Sequence, residues 1–543
     1  MEKSPLIVRE LPAPAAQSRR PKRNRVAPSM VIMFFLAILF FRGSLLFYFW
    51  ETYHHSHPHH PSDVQYTSLC DQPDPLFPST ENDKLNDMYD YLSSEDFRDG
   101  SIKRHSGAVR IPTESFDDMG AVGEDSRWEI MYKFQSYLEK VFPRVHEHMN
   151  PEVVNTHGLL YTLEGADEGL KPVLLLAHYD VVPVPNATVD AWTHPPFSGH
   201  YDGTFIWGRG ASDCKNQLIA VLESMELFLE AGYKPQRSIV LSFGFDEEIN
   251  GRHGARSLAA KLDDRYGKNG IAAIVDEGAQ FQKAWGTTFA VTGTGEKGYT
   301  DVHITVRMPG GHSSVPSDHT SIGVLSELIT RIEAEQYPVY LTDDNPYMGQ
   351  LQCGAANSAT FPKSLKKLLG ERRSDTCRPS PDYLALEAAK EGGRIKYLMQ
   401  TSQAVDIIEG GVKVNALPER TSVTVNHRVN IGDTTEHVWD HLTSLAKSIS
   451  EKYNLTLHAF DGMKEEPQSI SLWPSPNTLD VAPVTPSNVD KNTPYRVVAG
   501  TVRAVYGEEI VVSPGMTTGN TDTRYYWDLT KHIFRFGPGY DPE

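Results

Sequence analysis

Val173-Leu174-Leu175-Leu176-Ala177-His178-Tyr179-Asp180 is the stretch that decides the fold: a short apolar run that ends in a histidine and an acid. Such a run reads as a buried strand, and three further apolar stretches downstream also end in acids, at Asp213, at Asp246-Glu247-Glu248 and at Asp276-Glu277. In an open α/β sheet the ligand crevice lies at the carboxyl ends of the strands, so residues scattered over a hundred positions converge there. One imidazole and several carboxylates form a hard, oxygen-rich set suited to zinc, and together they imply a two-metal hydrolase.

At 543 residues the chain exceeds a single hydrophobic core, which stops growing near roughly 250 to 300 residues, so two domains are expected. The net charge is -18, yet residues 1–50 carry eight Lys or Arg against two Glu, which leaves -24 on the remainder. That balance argues against a nucleic-acid partner. Met30 to Trp50 is apolar apart from Arg42, Gly43 and Ser44, long enough to cross a hydrocarbon core of about 30 Å. Arg19, Arg20, Lys22, Arg23 and Arg25 precede it, so the positive-inside rule predicts a single-pass type II protein with its body in a lumen. A cleaved signal peptide is the rival reading, disfavoured by the length of the stretch and the lack of a small-residue cleavage site. Two glycosylation triplets, at Asn186 and Asn454, fit a lumenal body. Four cysteines are too few for a disulfide scaffold; Cys353 and Cys377 could pair, and Cys214 reads as a buried free thiol.

The expected organisation is a basic cytosolic tail over 1–29, an anchor over 30–50 and a His- and Pro-rich stalk over 51–82. The first part of an α/β catalytic domain then spans 83–293, an inserted smaller α+β lid spans 294–463, and 464–543 returns to the catalytic domain. Between 173 and 275 apolar strands alternate with helices, one of which places Leu218, Leu222, Met225 and Leu229 on one face, as in a mostly parallel sheet. Gly293-Thr294-Gly295-Glu296-Lys297-Gly298 matches a dinucleotide-binding pattern, but the residues after it alternate like a strand where that fingerprint needs a helix. The glycines are read as a hinge between the domains.

His178 and Asp180 leave the same face of an extended chain, so Asp180 can brace the imidazole while the other ring nitrogen binds metal. Asp213 follows Gly208-Arg209-Gly210-Ala211-Ser212, where three small residues let the backbone come close to a crowded centre, and one carboxylate there could bridge two ions. Glu247 and Glu248 diverge, so one can bind metal and the other act as a base. Asp276 can complete the ion held by His178. Each acid alone could be a helix cap. Four in the right alternation are harder to dismiss, and no Gly-x-Ser-x-Gly or His-Glu-x-x-His motif offers a different chemistry.

Leu176 to Pro183, Gly208 to Asn216, Asp246-Glu247-Glu248, Pro309 to Ser314 and Gly519-Asn520-Thr521-Asp522-Thr523-Arg524 resemble the dizinc metallopeptidase family that includes glutamate carboxypeptidase and aminoacylase, and within it the fungal vacuolar carboxypeptidase S group. The resemblance runs from about residue 85 to the end. It implies two zinc ions, with His178 and Asp276 on one, Glu248 on the other and Asp213 bridging. It further implies Glu247 as general base, Asp180 as orienting acid, and His312, Asn415 and Arg428 on the substrate side. Small peptides or N-acyl amino acids with a free carboxylate are the implied substrates, a vacuolar or lysosomal lumen the implied location, and a homodimer is compatible with it. In the family a last histidine binds the second zinc about thirty residues beyond the Gly-Asn-Thr-Asp motif. This sequence stops 21 residues after Asp522, with His532 in a strand-like context, so a truncated chain with a weakened second site is expected.

Overall fold

The computed structural model describes residues 70–78, 83–372, 381–464 and 466–540. The expected anchor over 30–50, most of the stalk and Cys377 lie outside the described residues, among which no helix is long and apolar enough to cross a membrane.

An eight-stranded sheet carries the catalytic half. Its strands run in the order Glu152–Val154, Gly158–Leu163, Ile239–Gly244, Val173–His178, Ala273–Ala284, Ile533–Tyr540, Thr287–Glu296 and Val511–Thr517. The four central strands are parallel, but Gly158–Leu163 pairs antiparallel with Ile239–Gly244, and Ala273–Ala284 turns back antiparallel onto Thr287–Glu296. The sheet is therefore mixed rather than mostly parallel, because a hairpin needs only a short turn where a parallel return needs a crossover. The helix Lys215–Glu230 covers one face, burying Leu218, Leu222 and Met225 as its spacing predicts, with Leu229 at the margin. The helix Ala255–Tyr266 covers the other with Leu258 and Leu262.

The smaller sheet runs Ser402–Gly410, Arg420–Val429, Gly298–Arg307, Ser469–Pro474, Thr456–Ala459. Val423, Val425, Val302 and Ile304 face the helices Ser321–Ala334 and Thr435–Tyr453 in a separate core. Two expectations shift. Ser469–Pro474 pairs with Gly298–Arg307, so the insertion extends past residue 463. The helix Pro346–Asn357, assigned to the lid, instead covers the large sheet, where Gly349 is needed because a Cβ would come within 2.4 Å of Pro514. Nor do the glycines of 293–298 form a hinge loop: Gly293 and Gly295 lie inside a strand, and Lys297 alone separates Thr287–Glu296 from Gly298–Arg307. They are small because neighbours crowd them, a Cβ on Gly298 meeting the Leu479 carbonyl at 2.6 Å.

Cys353 pairs with Cys70, 283 residues away, which rules out the expected Cys353–Cys377 bond; Cys214 is free and buried. The segment after Cys70 straps the open edge of the large sheet. Gln72 satisfies both backbone groups of Val512, its Nε2 donating to the carbonyl at 2.9 Å and its Oε1 accepting from the amide at 2.8 Å. Leu76 donates its amide to the Gly500 carbonyl at 2.9 Å.

Beneath the Gly519–Arg524 motif the buried Glu296 carboxylate accepts from Thr521, Thr523 and Arg535, the last at 2.8 Å. Breaking a buried pair by removing one partner leaves an uncompensated charge. Arg535→Met is therefore expected to lower stability by about 3 to 5 kcal/mol, read from the denaturation midpoint, with Glu296→Gln added to it recovering part of the loss. A shift below about 1 kcal/mol would contradict the pairing.

Candidate active site

The acids gather at the carboxyl ends of the central strands, where the sequence places them. Val173–His178 delivers His178 opposite Gly244, and the chain beyond Gly244 supplies Asp246, Glu247 and Glu248 on a single 3-10 turn, Glu247–Ile249. Asp213 arrives on the tight approach to the helix Lys215–Glu230, with a cis peptide bond to Cys214.

Asp180 organises the centre. Fully buried, it accepts from the Ser115 hydroxyl at 2.7 Å, from the backbone amides of Glu247 at 3.0 Å and Glu248 at 3.1 Å, and lies 3.2 Å from His178 Nδ1. Burial alone would push its carboxyl up, but His178, Ser115 and the Glu248 amide hold it below the usual range. With Nδ1 engaged there, His178 directs Nε2 at Asp213 Oδ1 and at Glu277 Oε1, both 3.1 Å away, and at Glu247 Oε2, 4.0 Å away. Burial opposes charge on this imidazole, yet Cys214, Glu277 and Asp180 hold it well above its usual range.

Glu277, not the expected Asp276, is thus the acid beside His178. Alternation puts Asp276 on the His178 face, since Leu174 pairs with Ile274. The ladder with Ile533–Tyr540 then slips, Arg535 pairing with Asp276 and Phe536 with Ala279, while Gly278 takes a φ of +139°. That irregularity re-aims the chain, as bulges beside active sites do. Asp276 is left buried with one oxygen unpartnered, and burial, with Glu277 next to it, pushes its carboxyl up to about 7.

Asp246 has the structural role that an acid after a strand often has: it accepts from the His253 and Gly254 amides ahead of the helix Ala255–Tyr266. Asp522, to which the sequence assigned no role, lies against Gly244 and Gly251, where a Cβ would come within 2.4 Å of its oxygens. Burial, then Asp246, pushes its carboxyl well up, and burial does the same to Glu247. Its signal was its place inside the Gly-Asn-Thr-Asp motif.

Such crowding of acids calls for a cation, and the donors fit one. Single donor atoms of His178, Asp213 and Glu248 lie within 4.8 Å of one another, as do those of His178, Cys214 and Glu277. Two donors about 2.1 Å from one tetrahedral zinc would sit about 3.4 Å apart, close to the 3.1 Å seen from His178 to Asp213 and Glu277. Cys214 is the weaker donor, because burial, then Glu277, pushes its thiol up to about 12 and its sulfur is engaged by the His178 backbone.

The substrate-side candidates divide. Arg428 reaches the rim of the acid cluster, its guanidinium 5.4 Å from the Tyr299 ring and 3.4 Å from Asn520 Oδ1; Arg524 lies 5.7 Å from the same ring. Tyr299 and Arg524 both donate to Asn250, which ends the Glu247–Ile249 turn. Among the described residues no acid pairs with Arg428, and burial lowers its affinity for its proton. His312 and Asn415 come together instead on an exposed two-stranded ladder, Gly311–His312 with Ala416–Leu417, where His312 Nδ1 meets Ser314. Among the described contacts neither touches the acid cluster. His532 sits just before Ile533, opposite Ile274, at the amino-terminal pole of the parallel strands and away from His178.

A profile described as Peptidase family M20/M25/M40 matches residues 174–543. Carboxypeptidase S of Saccharomyces cerevisiae is 42% identical over 497 residues, covering 88% of this chain and 84% of that protein. The N-fatty-acyl-amino acid synthase/hydrolase of Bos taurus is 33% identical, over 80% of this chain and 79% of that one. Among solved structures, human carnosine dipeptidase 1 matches with a TM-score of 0.53 at 15% identity, covering 85% of this chain and 92% of its own, a likeness of fold.

The two acids of the irregular strand are separable by experiment. Glu277→Ala should lower the divalent metal retained after dialysis, measured by elemental analysis, whereas Asp276→Asn should keep it. The reverse pattern would return the ligand role to Asp276.

Proposed function

The chain belongs to peptidase family M20/M25/M40, and we propose that this metallopeptidase is a zinc carboxypeptidase that removes the last residue of small peptides. The observation carrying the reading is the guanidinium of Arg428 at the rim of the acid cluster, with which no acid pairs among the described residues. A half-buried guanidinium with one weak acceptor is favourably placed to receive an anion from a ligand, and a fork of donors suits a carboxylate. Arg524, on the same tyrosine ring, adds a second positive charge.

In this reading His178, Asp213, Glu248 and Glu277 would hold the zinc ions. Bound there, the metals would polarise the scissile carbonyl and make a water acidic near neutral pH. Asp180 fixes the His178 ring and, through two backbone amides, the turn bearing Glu247 and Glu248. Glu247, its proton affinity raised by burial, takes the proton of the attacking water and passes it to the leaving amine. Arg428 and Arg524 hold the substrate carboxylate. His312 and Asn415 act on the substrate once a second copy or a closing lid brings them near.

Cleavage of N-acyl amino acids is the alternative, favoured by the 33% identical synthase/hydrolase and by the same guanidinium pair, since those substrates also end in a carboxylate. A homodimer belongs to the reading as well. Ser402–Gly410 is an edge strand with Ile407 and Ile408 more than half exposed, and Val412 and Val414 beside it are 98% and 99% exposed. The reading also takes in a single-pass anchor over 30–50, proposed from the sequence alone, and a body in a vacuolar or lysosomal lumen, which the Cys70–Cys353 bond and the exposure of Asn186 and Asn454 favour because both suit an oxidising, glycosylating compartment.

Glu247→Gln should retain two zinc ions and lose roughly 10²- to 10⁴-fold in rate; if it empties the site, Glu247 and Glu248 exchange roles. A blocked dipeptide should be cleaved far faster than its C-terminal amide, and a fatty-acyl amino acid more slowly than the dipeptide; preference for the acyl substrate would establish the alternative. Light scattering and protease treatment of sealed vesicles check assembly and topology: a monomeric body, or one digested from the cytosolic side, would remove those parts of the reading.

A further inference from the structure

Lys297 is completely buried, and it is the one residue between the last strand of the large sheet to precede the insertion and the first strand of the small one. Its backbone amide donates to Thr517 and its carbonyl accepts from Asn520 Nδ2, both on the catalytic side. Its ammonium points the other way, donating to the Gln400 carbonyl of the insertion at 2.6 Å. Asn520 joins this residue to the guanidinium already described, because the amide that donates to the Lys297 carbonyl accepts from Arg428 Nη1 through its oxygen.

Among the described contacts the ammonium has one hydrogen-bond acceptor, an uncharged carbonyl, so its charge is balanced mainly at a distance. Burial, and then the Arg428 guanidinium, push its amine down to about 7, while the Asp433 carboxylate, which accepts from Thr401, acts the other way. An amine kept under those conditions costs stability, and its protonated form places a third positive charge behind Arg428 and Arg524 that deepens the potential an incoming carboxylate meets. A plain structural staple between the domains would be served as well by an uncharged donor.

We propose that Lys297 is a positioning and specificity residue. Through Asn520 it fixes Arg428, and with its own charge it sets how strongly the site prefers substrates ending in a free carboxylate over those ending in an amide. This rests on the carboxypeptidase reading above, and the substrate pair separates the two.

The experiment uses the metal-loaded full chain with a blocked dipeptide and its C-terminal amide. For Lys297→Met, KM for the free acid should rise on the order of tenfold while KM for the amide and kcat for both stay within about twofold, because a charge several ångströms from the carboxylate acts on that group alone. Wild-type protein that treats acid and amide alike would sink the carboxypeptidase reading itself. Wild-type protein that discriminates, with a folded Lys297→Met variant that discriminates as well, would overturn the role of Lys297 and leave that reading standing. Equal losses on both substrates would also overturn it, marking a structural staple. Should Lys297→Met fail to give a cooperative melt, Asn520→Ala decides: loss confined to the free acid supports the proposal, and uniform loss or none rejects it.

Discussion

Everything at this centre hangs on one buried carboxylate. Asp180 makes no use of solvent; it is satisfied by a serine hydroxyl, two backbone amides and an imidazole that come from three separate stretches of chain. Because the amides belong to Glu247 and Glu248, the acid that orients His178 also fixes the turn from which the proposed base and the proposed metal ligand diverge. Neutralising it would loosen both at once, which is how a group that touches neither metal nor substrate can govern the site.

A second constraint works one layer deeper. Glu296 and Arg535 form a buried pair whose threonine partners belong to the Gly519–Arg524 motif, so the return segment is bolted to the strand from which the insertion departs. From that motif Asp522 lies against Gly244 and Gly251, and Asn520 donates to the Lys297 carbonyl. Lys297, Asn520 and Arg428 are linked by polar contacts where the two sheets join, and the carboxylate site proposed above lies at that junction.

Much of this was legible in the sequence because a buried strand leaves a plain signature. The run from Val173 to Asp180 announces both the strand and the residues it delivers, and the diverging pair Glu247 and Glu248 follows from adjacency alone. What could not be read depends on departures from regularity or on distance along the chain. Perfect alternation favours Asp276, and only a broken ladder at Gly278 turns Glu277 inward. The partner of Cys353 lies 283 residues away in a segment read as stalk, where no local pattern points to it. The end of the insertion was set too early because the Pro-rich stretch after residue 464 masks the short strand Ser469–Pro474. Lys297 looked like part of a flexible glycine joint, whereas the glycines mark crowding.

The strap at the amino-terminal end of the described chain has a mechanical meaning. A chain held from its amino terminus pulls first on Cys70, and the bond there hands that load to Cys353, on a helix packed against the large sheet. The pull enters the body through a covalent link at the rim farthest in strand order from Gly158–Leu163. Force on that end of the chain thus falls first on the sheet edge braced by Gln72, several strands away from Ile239–Gly244, after which Glu247 and Glu248 follow.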